Sequence, residues 1–340
     1  MRVALLGLCA AAAAAAAASP LTRVHVVPHS HNDPGWLETE SQYFKIRSKM
    51  IITNVVKSLE ADPKRRFQWV EMVYFREWWG EQDAATQGRV RALVAARRLI
   101  FLTGGLCMND EAISHHGAVI DQMTWGHRFI NETFGPDALP TVGWQIDAFG
   151  HGAGYTSLTA AMGIKAMIGQ KIDFQDQARR AAAQELEFRW TADPTNHPNR
   201  SVFGHIMFDN TGGYSFTLPQ IKPGGMDPAG QPKMGVTIQY RTANCTGGPP
   251  SGNGCCKTEC HTNCSSCAAE LGAETIAARV AKMVPEYRHG SRHVFFAFGS
   301  DFRKIAILSR FVALSISRVL IASPLQSSAT RRRRSPRWSS

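Results

Sequence analysis

From Val24 onward, short apolar runs rich in Val, Ile and aromatic residues alternate with longer segments of helical period. Val24–Pro28 reads as a first strand. Phe44, Ile51, Val55 and Leu59 then recur at spacings of seven, four and four, which puts them on one face of a helix. Phe67–Val73 reads as a second strand and Leu99–Thr103 as a third, stopped by Gly104-Gly105. Glu111–Phe129 has helical character, Thr141–Ile146 and Ala166–Gln170 read as further strands, and Gln175–Phe188 is rich in the helix formers Ala, Gln, Glu and Arg. His293–Phe298 reads as a late strand, whereas Thr191–Gly272 is Gly- and Pro-dense and reads as loop. Strands separated by helices need crossover connections, so this order predicts an α/β domain on a mainly parallel β-sheet with flanking helices.

Both ends differ from this body. Arg2 precedes an Ala-rich apolar run, Val3–Ala18, broken by Ser19-Pro20. The run is shorter than the about 20 residues needed to cross a bilayer, and its layout is that of a cleaved signal peptide over 1–19. The chain is therefore expected in the secretory pathway, with no membrane attachment after cleavage. Six of the eight cysteines fall between Cys245 and Cys267. An oxidising lumen makes that Cys-rich loop, 245–267, a disulfide framework rather than a zinc knuckle, while Cys107, far from the others, reads as a buried free thiol. Asn131, Asn199, Asn244 and Asn263 head glycosylation sequons. Phe302–Ser340 contains nine Arg or Lys and no acid, so it carries +9 of the net +11 and leaves the other 301 residues at +2. The body is nearly neutral, and no nucleic-acid surface is expected on it. The segment 303–340 reads as a separate basic tail, partly disordered.

The residues with chemistry stand where strands end. His29-Ser30-His31-Asn32-Asp33 follows the first strand directly, with Pro34-Gly35 forcing a turn and Trp36 after it. His31 and Asp33 are two apart and face one side of extended chain, a donor pair that suits zinc. Asp147, in Gly143–His151, ends another strand, Asp301 ends the late one, and Asp110 and Glu111 follow the third. In a parallel α/β fold such ends converge on one rim. Carboxylates gathered there need a cation or a proton to offset their repulsion, and paired carboxyls are the tools of glycoside hydrolysis.

His29–Trp36, Gly104–Ala112 (GGLCMNDEA), Asp121–Thr124, Gly143–His151 (GWQIDAFGH), Ile172–Asp176 (IDFQD) and Gly299–Phe302 occur in this order. Over about Val24–Phe302 they resemble the N-terminal catalytic region of the glycoside hydrolase family 38 α-mannosidases, lysosomal acid type. The resemblance implies a distorted β/α-barrel-like catalytic domain over 20–302, incomplete here. It implies zinc (Zn2+) held by His31, Asp33 and Asp147, with Asp147 also the catalytic nucleophile and Asp301 the general acid/base. Trp36 and Lys171 are implied in substrate binding. The implied partners are mannose-containing oligosaccharides or glycoproteins, the implied reaction is retaining hydrolysis of terminal α-mannosides, and the implied location is the lysosome or vacuole, or outside the cell. A sugar-binding lumenal module without turnover is the alternative.

The sequence departs from the family pattern at several points. Leu106 replaces a Trp and Ala148 a Pro, and Lys171 stands where many relatives have Arg, keeping the charge without the bidentate fork. Beyond Phe302 the resemblance stops, and the family's fourth ligand, a later His, has no counterpart. His205 and His293 are the residues at hand as substitutes. With three ligands, weak zinc affinity and impaired turnover are expected.

Overall fold

The computed structural model describes residues 23–207, 240–241, 259–260, 281, 283, 287, 293–299 and 301. The signal segment 1–19, the tail 303–340 and, apart from Cys260, the cysteines of 245–267 lie outside these residues.

Strand β1 (Arg23–Pro28) leads into α1 (Glu40–Tyr43), which continues through a π turn at Phe44–Ser48 into α2 (Lys49–Ala61). Next come β2 (Phe67–Trp69), α3 (Met72–Gly80), α4 (Ala84–Ala95), β3 (Leu99–Phe101), α5 (His116–Phe134), β4 (Val142–Gln145) and α6 (Ala153–Ala161). They are followed by β5 (Ala166–Gly169), α7 (Phe174–Ala183), β6 (Glu187–Trp190), β7 (Val202–Ile206), the short pair β8 (Tyr240–Arg241) and β9 (Glu259–Cys260), and β10 (His293–Phe298). The expected mix of helices and mostly parallel strands is present. β1 pairs with β10, β2 with β3, β4 with β5 and β5 with β7, all parallel. β6 on β7 and β8 on β9 are antiparallel. Among the described residues the ladders are separate rather than one continuous sheet, and Thr103 stitches two of them together. Its amide donates to Val142 O (2.8 Å) and its hydroxyl accepts from the Trp144 amide (2.7 Å).

Local chemistry sets the element ends. Thr39 and Gln42 form a reciprocal capping box at α1. Asp83 caps α4 through the Thr86 amide, and Asp173 caps α7 through Gln175 and Asp176. Ile51, Ile52, Val55, Val56 and Leu59 of α2 pack with Tyr74, Phe75 and Trp78 of α3 in the largest core cluster, and Trp78 Nε1 donates to Thr53 Oγ1 (2.9 Å).

Four sequence expectations shift. The run Phe67–Val73 is a strand only to Trp69, because Met72, Phe75, Trp78 and Trp79 bury at helical spacing and carry the chain into α3. The helix expected from Glu111 begins at His116, whose preceding residue caps it, and runs on to Phe134 before Gly135 turns at φ +88°. The loop expected from Thr191 contains β7, which lies between β5 and β6. The helix at Gln175–Phe188 ends at Ala183, where Gln184 adopts the left-handed conformation, and the chain returns as β6.

Candidate active site

Four of the parallel strands deliver chemistry from their C-terminal ends. β1 runs into His29–Asp33, β4 into Asp147, β5 into Lys171 and β10 into Asp301. His31 Nε2 lies 2.9 Å from Asp33 Oδ1 and 3.4 Å from Asp147 Oδ2. One ligand atom from each of the three residues falls within 4.8 Å of the others. Lys171 Nζ pairs with Asp147 Oδ1 and also lies 4.2 Å from the centre of the Phe149 ring. The expectation that His31 and Asp33 share a side and that Asp147 joins them is therefore met in space. Asp301 is exposed, and its backbone forms a parallel bridge with His31. Trp36 is 72% exposed on the turn after Gly35 (φ +95°).

The support beneath is buried and polar. Asn32 Nδ2 donates to Ser30 O (3.1 Å), and Ser48, delivered by the π turn, reaches Asn32 Oδ1 (3.5 Å). Tyr74 donates its hydroxyl to Asp33 O (2.6 Å). Glu71, only 1% exposed, lies 3.7 Å from His31 Nδ1. Sequence reasoning did not single out Glu71. It falls inside the run expected as a strand, Phe67–Val73, yet sits two residues past the true end of β2, as Asp147 sits two past the end of β4.

The electrostatics follow from this crowding. Burial by itself would lower the His31 pKa, but hydrogen bonds to Asp147 and Asp33 and the nearby Glu71 carboxyl raise it to about 10. Burial likewise works to raise Asp147, and the contacts with His31 and Lys171 prevail, holding it at about 2. Burial raises Glu71 to about 7, with His31 opposing the shift. One imidazole nitrogen and two carboxylates, in a field that strongly attracts positive charge, fit a divalent metal ion and match the donor types zinc accepts.

The other candidates resolve clearly. His205 Nδ1 is 3.0 Å from Glu187 Oε1 and its ring stacks on Tyr287, while His293 meets His25 at 2.7 Å. Neither belongs to the ligand group among the described residues. Asp110 accepts the Ala112 amide at a turn, whereas Glu111 turns inward to His151. Cys107 is a free thiol of intermediate exposure, and burial raises its pKa. No helix among the described residues is long and apolar enough to cross a membrane.

The chain is similar to several known proteins. The chain is 43% identical over 199 residues to lysosomal alpha-mannosidase of Mus musculus, covering 56% of this chain and 20% of that protein. It is 44% identical over 186 residues to the Homo sapiens protein of the same name, covering 52% of this chain and 18% of the relative. It thus spans about a fifth of the length of these relatives. Among solved structures, an alpha-mannosidase from Enterococcus faecalis V583 superposes with a TM-score of 0.57 at 16% identity, over 86% of this chain and 27% of that one, a likeness of fold. The glycosyl hydrolases family 38 N-terminal domain matches residues 21–306, most of the sequence, and the chain belongs to that family.

Proposed function

We propose that this chain is a zinc-dependent, retaining α-mannosidase domain that hydrolyses terminal α-D-mannosyl residues of oligosaccharides and N-glycans. The observation that carries the reading is the convergence of His31, Asp33 and Asp147 at strand ends, with Lys171 on Asp147, inside a family 38 domain. His31, Asp33 and Asp147 would hold the metal, which when bound supplies an electrophile for sugar hydroxyls.

In this reading Asp147, kept ionised by its cationic neighbours, attacks the anomeric carbon through an oxocarbenium-like transition state and forms a glycosyl ester. Lys171 holds one Asp147 oxygen and orients the other. Asp301 protonates the departing glycosidic oxygen and then takes a proton from the incoming water, so two inversions give net retention. Trp36 offers an exposed aromatic face to the sugar ring. The catalytic domain is assigned to 20–302 as a distorted β/α barrel, with a signal peptide over 1–19 and a basic tail over 303–340. The relatives' name supports a lysosomal or secretory location. Asn131 and Asn199 are both exposed, as glycan acceptors need to be.

The test is hydrolysis of an aryl α-D-mannoside by the zinc-loaded chain, with the first-formed anomer read by NMR. Slow turnover giving the α-anomer, abolished by Asp147→Asn, is expected. Mannoside binding without turnover would favour the sugar-binding alternative, and neither binding nor turnover would refute the reading.

A further inference from the structure

Glu111 lies on the 104–115 segment, remote in sequence from Asp147, and its side chain is 2% exposed. Three donors from the Asp147 loop converge on its two oxygens. Gln145 Nε2 donates to Oε1 at 2.9 Å and His151 Nδ1 stands 3.1 Å from the same atom. The Gly152 amide donates to Oε2 at 2.6 Å. Gln145 is the last residue of β4 and Gly152 the residue before α6, so one carboxyl holds both ends of the loop 146–151.

Gly152 has no side chain to cap α6, so the Glu111 carboxyl takes the capping role from outside, where the helix dipole also favours it. The His151 ring lies against Gly169, where even a Cβ would come within 2.5 Å of Nε2. That contact sets the loop against the end of β5, the strand that delivers Lys171. The Gly150 amide donates to Lys171 O (3.1 Å), and the Asp147 amide faces Met108 Sδ (3.4 Å) on the Glu111 segment.

We infer that Glu111 is a positioning residue: through Gln145, His151 and Gly152 it clamps the loop that presents Asp147 to the metal ligands and to Lys171. The role assigned to Asp147 rests on the mannosidase reading, but the clamp itself does not. A buried carboxyl satisfied by three donors from one short loop fixes that loop at both ends, and partners behind a metal ligand typically set affinity within 10–100-fold.

The experiment uses the full chain as wild type, Glu111→Gln and His151→Phe. The second variant keeps an aromatic ring beside Gly169 and removes both ring nitrogens, the Nδ1 that meets Glu111 among them. Amide hydrogen exchange is measured without metal, and zinc(II) affinity by competition with a chromophoric chelator. In both variants, exchange across 146–152 should quicken about tenfold or more while peptides from 67–80 keep wild-type protection. Zinc Kd should rise about 10–100-fold. Unchanged protection of 146–152, or a loss shared equally with 67–80, overturns the clamp, since a merely structural role moves both. If Glu111→Gln does not fold, His151→Phe decides. A folded wild type that binds no zinc overturns the metal reading, and the exchange data still decide the clamp.

Discussion

Two glycine-to-alanine substitutions make the same chemical change in two helices and should move stability in opposite directions. Gly88 lies exposed inside α4, and a Cβ added there meets nothing within 4 Å. Alanine removes backbone freedom from the unfolded chain and adds no contact, so Gly88→Ala should stabilise by about 0.5–1 kcal/mol. Gly126 is buried in α5, and a Cβ there would lie 1.9 Å from Gly104 O and 2.9 Å from Gly105 Cα. Both obstacles are backbone, so no rotamer change relieves them. The helix or the 104–105 turn must shift by about an ångström, and forced core insertions cost about 1–3 kcal/mol or more. That outweighs the same propensity gain of at most about 1 kcal/mol, and the turn is further constrained by Gly104 at φ +81°. A net loss of about 1–2 kcal/mol corresponds to a fall of roughly 2–8 °C in Tm. The assay is urea and thermal unfolding of the two variants beside wild type. A neutral or stabilising Gly126→Ala would refute the close approach of α5 to the turn that leads toward Glu111.

Phe75 is fully buried and its ring meets those of Trp69, Trp78, Phe101 and Phe134, so Phe75→Ala should destabilise by about 3–5 kcal/mol, read from the urea midpoint at constant slope. Zinc at about a hundred times its Kd should stabilise the chain by about 2.7 kcal/mol, and His31→Ala should remove that thermal shift. Because the metal-free site holds a proton on His31 up to about pH 10, zinc must displace it. Affinity should therefore rise with pH across the neutral range and calorimetry should detect a released proton. A pH-independent affinity would contradict the His31 assignment.

The sequence exposed the strands that are both β-branched and bounded by breakers. His293–Phe298 matches its expected span, and Val24–Pro28, Thr141–Ile146 and Ala166–Gln170 each agree with an observed strand to within two residues at either end. What it concealed has two causes. β7 reads Val-Phe-Gly-His-Ile, and its central Gly204 and His205 look like loop residues until packing explains them. Gly204 admits the Phe188 ring, to which a Cβ would come within 2.7 Å, and His205 finds Glu187 on the neighbouring strand. Neither partner is close in sequence, so tertiary contact overrides local propensity there. The end of β2 was hidden differently. Val70, Met72 and Val73 are apolar enough to prolong either a strand or a helix, and periodicity over so few residues does not separate the two.

The second of these bears on the site. His31 and Asp33 are legible because a two-residue spacing in extended chain fixes their common side whatever the rest of the fold does. Asp147 is legible because the apolar run before it ends abruptly. Glu71 obeys the same rule, an acid just past a parallel strand, yet the rule works only if the strand's last residue is known. With β2 ending at Trp69, Trp69 Nε1 donates to Glu71 O (2.9 Å), and the Glu71 carboxyl comes to lie behind the imidazole of His31. An ordinary surface acid would gain nothing from burial there, since desolvation alone opposes its charge. The Asn32 amide (3.5 Å from Glu71 Oε1) and the His31 ring, carrying a proton or a metal on its far nitrogen, both offset that cost, so the burial of Glu71 accords with the ligand role proposed for His31.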